Sequence, residues 1–208
     1  MKITFNLKKE LAIFFAILIA ISAAIYLLLN AGAYFSIFRY NDNGSIFDLK
    51  ISSAKQTAKN GENYYLHIPK IGVTAPIVFP KDESDKSVLD SLEEGVGIYP
   101  GSQLPGEIGR SVILGHSSRA DWYKGKFAYI FALLGKLEKG DEFYIVSENK
   151  KLVYKVFAKD ILTPDKTDEL LSKVPENESE VALITCWPIG SSSLRTVVFA
   201  KFDREEKL

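Results

Sequence analysis

From Leu11 to Phe38 the chain carries no charged residue, and Leu11 to Leu29 within that stretch is almost purely apolar. A water-facing helix does not tolerate such a run on every side, because it leaves no polar face for solvent. At ~1.5 Å per residue those residues reach about 28 Å as a helix, against ~30 Å for the hydrocarbon core of a bilayer. The reading is one transmembrane helix over residues 11–30, preceded by a cytoplasmic N-terminus at residues 1–10. Lys8 and Lys9 flank it on the N-terminal side. Basic flanks stay in the cytoplasm, so the remaining chain is expected outside. A cleaved signal peptide is the competing reading, since Ala31-Gly32-Ala33 has the small-x-small form that signal peptidase accepts. The apolar core exceeds the ~7–15 residues usual for such peptides, which favours an uncleaved anchor. The folded part is exported on either reading.

The 208 residues suit one globular domain plus this appendage. Net charge is zero. Three of the 26 basic residues and one of the 26 acidic residues fall in the first ten positions, leaving 23 against 25 beyond them. A domain so near neutrality lacks the basic excess that neutralises phosphates, and nucleic acid is set aside as a partner. The single cysteine, Cys186, has no internal partner for a disulfide. In an exported protein a lone cysteine is a reactive thiol, a site of intermolecular pairing or a small buried hydrophobe.

Residues 31–62 read as a juxtamembrane linker, with weak helical spacing over Ile46 to Ala58. A domain over residues 63–205 follows, built of short β-rich runs: Tyr64 to Ile68, Val73 to Val78, Ser111 to Leu114, Glu142 to Val146, Lys151 to Ala158, Val181 to Thr185 and Thr196 to Phe202. Turn residues such as Pro69, Pro100-Gly101, Gly140-Asp141 and Pro164 separate them. Many short strands with frequent turns predict an all-β barrel or sandwich. Helical spacing at Val88 to Glu94 and at Phe127 to Leu134 predicts short helices carried on loops.

Three polar residues stand where strand patterns stop. Ser111 to Leu114 runs into Gly115-His116, Val181 to Thr185 runs into Cys186, and Arg195 opens the last strand. The short link of residues 187–194 favours an antiparallel pair, which sets Cys186 and Arg195 at one end of the sheet. A neighbouring strand ending at Gly115 brings His116 to the same place. The chemistry of the trio is coherent. A cationic neighbour favours the nucleophilic thiolate, an imidazole protonates a departing amine, and a fixed guanidinium stabilises the oxyanion of acyl transfer. His67 is the only other histidine; it lies inside a strand pattern beside Pro69, where a structural role is the stronger reading.

Ala182-Leu183-Ile184-Thr185-Cys186 resembles the TLxTC signature of the sortase family, with Arg195 a short distance after it and His116 upstream. Leu66 to Ile71 and Gly95 to Gly101 resemble further family segments, so the likeness spans about residues 63–203. Ala182 departs from the signature's threonine, at a position expected to affect packing rather than chemistry. The resemblance implies a closed β-barrel of about eight strands and recognition of an LPxTG-like sorting signal in exported proteins. It implies that Cys186 forms a thioacyl intermediate, that His116 protonates the leaving amine and that Arg195 steadies the oxyanion or the substrate backbone. The intermediate passes to an amine from a cell-wall precursor or a pilin lysine. Thr185 is placed at the oxyanion site by the same likeness.

No cofactor or metal is required for this chemistry. Calcium stimulation stays open, because some sortases bind that ion through loop carboxylates, although the acids here lack EF-hand spacing. Trp187 lines a peptide groove or, as the slightly favoured alternative, ends the strand and caps the core. Trp122, Tyr123 and Phe127 are open between loop packing and groove lining. Other readings compete. An L,D-transpeptidase would show an SHGC-like motif, and a papain-like enzyme would place its cysteine before its histidine. A cysteine hydrolase without transfer and a non-enzymatic surface domain with an inert Cys186 remain as alternatives.

Overall fold

The computed structural model describes residues 7–35, 63–118, 125–147 and 150–207. The expected connector helix at Ile46 to Ala58, and Trp122 and Tyr123, lie outside the described residues. Helix α1 spans Leu7–Leu29, and its segment Lys8–Leu29 is long and apolar enough to cross a membrane, with none of its most apolar window buried against protein.

Eight strands form the domain: β1 (Tyr64–Ile68), β2 (Val73–Val78), β3 (Val96–Ile98), β4 (Gly109–Leu114), β5 (Glu142–Ser147), β6 (Lys150–Leu162), β7 (Ser179–Trp187) and β8 (Leu194–Lys207). They close into a barrel in the order β1-β2-β3-β4-β7-β8-β6-β5, which leaves no open sheet edge around the ring. The β2–β3 and β4–β7 pairs are parallel, and the others are antiparallel. Alternating burial in β1 and β5 matches their alternating sequences, with Leu66, Ile68 and Ile145 turned into the barrel.

Strand β7 differs, because Val181 and Leu183 fill the barrel while Ala182 and Ile184 join an outer cluster with Val112, Val197 and Phe199. Helix α3 (Pro164–Ser172) covers that outer cluster through Leu170 and Leu171. A strand buried on both faces reads as a continuous apolar run, which is how Val181 to Ile184 reads.

Pro164 is therefore more than punctuation: it occupies the first turn of α3, where its missing N–H costs nothing. Helix α2 runs Asp85–Glu94 and starts earlier than the spacing predicts, because the Ser84 side chain accepts a hydrogen bond from the Ser87 N–H and caps it. The helix expected over Phe127 to Leu134 is absent. Successive turns with bonds such as Ile130 N–H to Phe127 O and Ala132 N–H to Tyr129 O replace it, ending in a 3-10 turn at Leu134–Lys136. The Phe131 N–H instead donates to the His116 carbonyl at 2.9 Å, so tertiary pairing takes the bond a continuous helix would need.

Candidate active site

Register builds the site. In the antiparallel β7–β8 pair, Cys186 lies directly opposite Arg195, Thr185 opposite Thr196 and Trp187 opposite Leu194. Opposed residues project to the same face, so Cys186 and Arg195 are side by side. On the other flank, parallel β4 pairs with β7 as far as Leu114 against Ile184. The association continues past that rung: the Gly115 N–H donates to the Ile184 carbonyl at 3.0 Å, and the Thr185 hydroxyl donates to the Gly115 carbonyl at 2.7 Å. The next residue is His116, so the turn that carries it lies alongside the end of β7 that bears Cys186. The nucleophile candidate thus sits between the histidine strand and the arginine strand.

Gly115 is required by close approach. A Cβ there would stand 2.4 Å from Cδ2 of Phe131, a ring with no exposed surface. The glycine lets Phe131 seat against the turn that carries His116, which is half-buried. Cys186 is half-buried as well. The Arg195 guanidinium is fixed by its own loop, with Nη1 donating to the Ser192 carbonyl at 2.7 Å and to the Leu194 carbonyl at 3.0 Å. The single donor of the Thr185 hydroxyl is committed to Gly115, so that hydroxyl ties β7 to the histidine turn.

A groove of about 250 Å³ opens at this end of the barrel, lined by Thr185, Cys186 and Trp187 of β7 and by Leu133, Lys136 and Ile189. His116 and Arg195 do not line it themselves, but their chain neighbours Ser117 and Thr196 do. Trp187 is 42% exposed, which removes the alternative in which its ring caps the core. Pro188 follows it through a cis peptide bond. The groove walls contributed by Leu133 and Lys136 were not legible in sequence, since the helical spacing of Phe127 to Leu134 gives no hint of a place beside Cys186. Ser117 is buried in the same wall and follows His116 directly, the one signal that would have found it. A larger hollow of about 310 Å³ lies at the opposite end of β4, between Tyr99, Arg110 and Asp168, and touches none of the candidate residues.

His67 belongs elsewhere. It pairs with Thr74 and Tyr144 on β1, which stands across the closed barrel from β7. Its ring stacks on Tyr144 at 4.8 Å, and its Nδ1 lies 3.2 Å from the Thr74 hydroxyl. Burial, with the nearby Lys151 charge adding to it, holds this imidazole below its ordinary pKa. Among the described residues no group of three or more His, Cys, Asp or Glu side chains is placed to hold a metal ion.

Residues 66–203 match the family model described as the sortase domain. The chain is 31% identical over 139 residues to sortase D of Bacillus subtilis, a match covering 65% of this chain and 61% of that protein. It therefore spans somewhat less than two thirds of that relative's length. Among solved structures, a lid mutant of sortase A from Corynebacterium diphtheriae superposes with a TM-score of 0.57 at 32% identity, over 68% of this chain and 70% of that one. Sortase C of Streptococcus pneumoniae, a structure described in terms of catalysis and pilin substrate specificity, gives a TM-score of 0.58 at 28% identity over 71% and 70% of the two chains.

Proposed function

The chain belongs to the sortase family, and from that premise we propose that it is a membrane-anchored cysteine transpeptidase acting on LPxTG-like sorting signals of exported proteins. The observation that carries the proposal is the bracketing of Cys186, which lines a groove, by Arg195 in register on one flank and by the turn holding His116 on the other. The Cys186 thiolate adds to the carbonyl carbon of the signal's threonine. The oxygen gains negative charge, which the Arg195 guanidinium, held by its two loop carbonyls, stabilises. The C–N bond to the following residue breaks as His116 gives its proton to the departing nitrogen, leaving a thioester on Cys186.

An incoming amine then attacks the thioester, gives a proton back to His116 and expels the thiolate as the new amide forms. The pilin substrate specificity described for the S. pneumoniae enzyme supports a pilin lysine as one acceptor class, beside a cell-wall amine. Neither step needs a cofactor. Calcium as an activator is a separate question, answered by assaying with chelator and with added ion.

Transfer and hydrolysis separate on the fate of the thioester, which depends on how the groove positions an amine against water. With the detergent-solubilised full chain, an LPxTG-type peptide and excess triglycine, the amide product exceeds the hydrolysed acid. Cys186→Ala gives neither, and His116→Ala lowers both by about 10²- to 10⁴-fold. Cleavage that survives in Cys186→Ala overturns the covalent route, and cleavage that no amine diverts leaves a peptidase.

A further inference from the structure

The C-terminal end of α1 does not leave the domain free. The Tyr26 hydroxyl donates to the Ile189 carbonyl, one residue past Pro188 in the loop that follows Cys186. Asn30, 7% exposed, lies against Gly190: a Cβ on that glycine, which already has φ +80, would stand 2.8 Å from the Asn30 amide atoms. Gly32 packs on the Tyr129 ring, where a Cβ would come within 2.5 Å, and Ala33 is wholly buried. The same loop is bound to the histidine turn, because the Gly190 N–H donates to the Ser118 hydroxyl at 2.7 Å.

These contacts fix the depth of the site. At ~1.5 Å per residue, Tyr26 lies about 4.5 Å below Leu29, the last residue of a helix long enough to cross the hydrocarbon core. A backbone carbonyl bonded to Tyr26 therefore sits within one turn of the hydrocarbon boundary. Residues 187–194 carry no charge, matching the uncharged stretch that runs to Phe38. Trp187, Tyr34 and Phe35 are exposed around the dock, at 42%, 37% and 58%. Tryptophan and tyrosine concentrate in the head-group layer, where an amphipathic ring is solvated at one end and buried at the other.

We infer that the Trp187–Leu194 loop is a membrane-contacting surface, held in the lipid head-group layer by the docked end of α1, with Trp187 inserted beside the groove mouth. The partner is the bilayer that α1 crosses, so the inference rests on the anchor reading of that helix. The groove then opens along the membrane surface and not away from it.

The chain has two tryptophans, Trp122 and Trp187, so Trp122→Phe leaves Trp187 as the sole reporter. The full chain carrying that change is reconstituted into phosphatidylcholine vesicles with or without acyl-chain bromine. Trp187 should lose emission to the brominated lipid and show a blue-shifted spectrum. Ala33→Glu, which forces a charge into the dock, and separately Gly32→Leu, which needs the space of the Tyr129 ring, should both abolish the loss and raise quenching by aqueous iodide. A chain with Phe14→Trp as its only tryptophan reports the anchor itself. Emission from Trp187 that ignores bromine while Phe14→Trp is quenched overturns the interfacial loop and leaves the anchor standing. Absence of quenching in both overturns the anchor and the inference together.

Discussion

At the residue scale the site depends on side chains whose donors are already committed. Arg195 spends Nη1 on two carbonyls of its own loop, which fixes the plane of a five-donor fork before substrate arrives. A lysine keeps the charge but has a single rotating ammonium that does not reproduce that geometry. Arg195→Lys should therefore lower the transpeptidation rate by about 10²-fold or more, as removal of an oxyanion donor does, with a thermal midpoint near the parent. Full activity in that variant removes Arg195 from the reaction. Thr185 shows the same economy, since its hydroxyl joins β7 to the turn ahead of His116.

At the element scale the parallel β4–β7 pair decides whether His116 meets Cys186, and its far end is stapled by a buried ion pair. Arg110 Nε and Nη2 donate to Glu180 Oε2 at 3.2 and 2.8 Å, while Nη1 donates to the Leu170 carbonyl of α3 at 3.0 Å. The guanidinium also stands 5.1 Å from the Phe199 ring centroid. Both side chains are at least nine-tenths buried. Removing one partner strands the other charge away from water, typically at a cost of about 3–5 kcal/mol. Glu180→Leu should lower the thermal midpoint by roughly ten degrees, measured by calorimetry, whereas Arg110→Met with Glu180→Leu should recover most of the loss. An unshifted midpoint in the single variant would show that the pair is not desolvated in solution.

At the scale of the whole molecule, the reaction proposed here requires the domain and its substrates on the same side of the membrane. Lys8 and Lys9 ahead of the apolar run predict the N-terminus inside and the barrel outside. Protease added to intact cells should remove the domain and spare an N-terminal tag. A protected domain with an exposed tag would reverse the orientation and exclude surface proteins as substrates.

Local pattern determined much of this chain from sequence. The apolar run marked α1, and short β-rich runs between turn residues marked most strands, because strand and turn residues differ in their backbone preferences. Polar residues where strand patterns stop, Cys186, His116 and Arg195, marked the candidate site, since a polar residue that stops an apolar run stands at the end of a sheet. Tertiary structure decided what depends on long-range competition. Phe127 to Leu134 has helical spacing, yet its backbone yields to the His116 carbonyl and to packing against Gly115. Pro164 opens a helix whose apolar residues cover the outer face of β7, a face with no reason to be buried until α3 lies on it. The docking of Tyr26 on Ile189 joins residues 163 positions apart. Nothing local distinguishes that tyrosine from its neighbours, because the contact exists only once the barrel has closed and set the loop after Cys186 at the foot of the anchor.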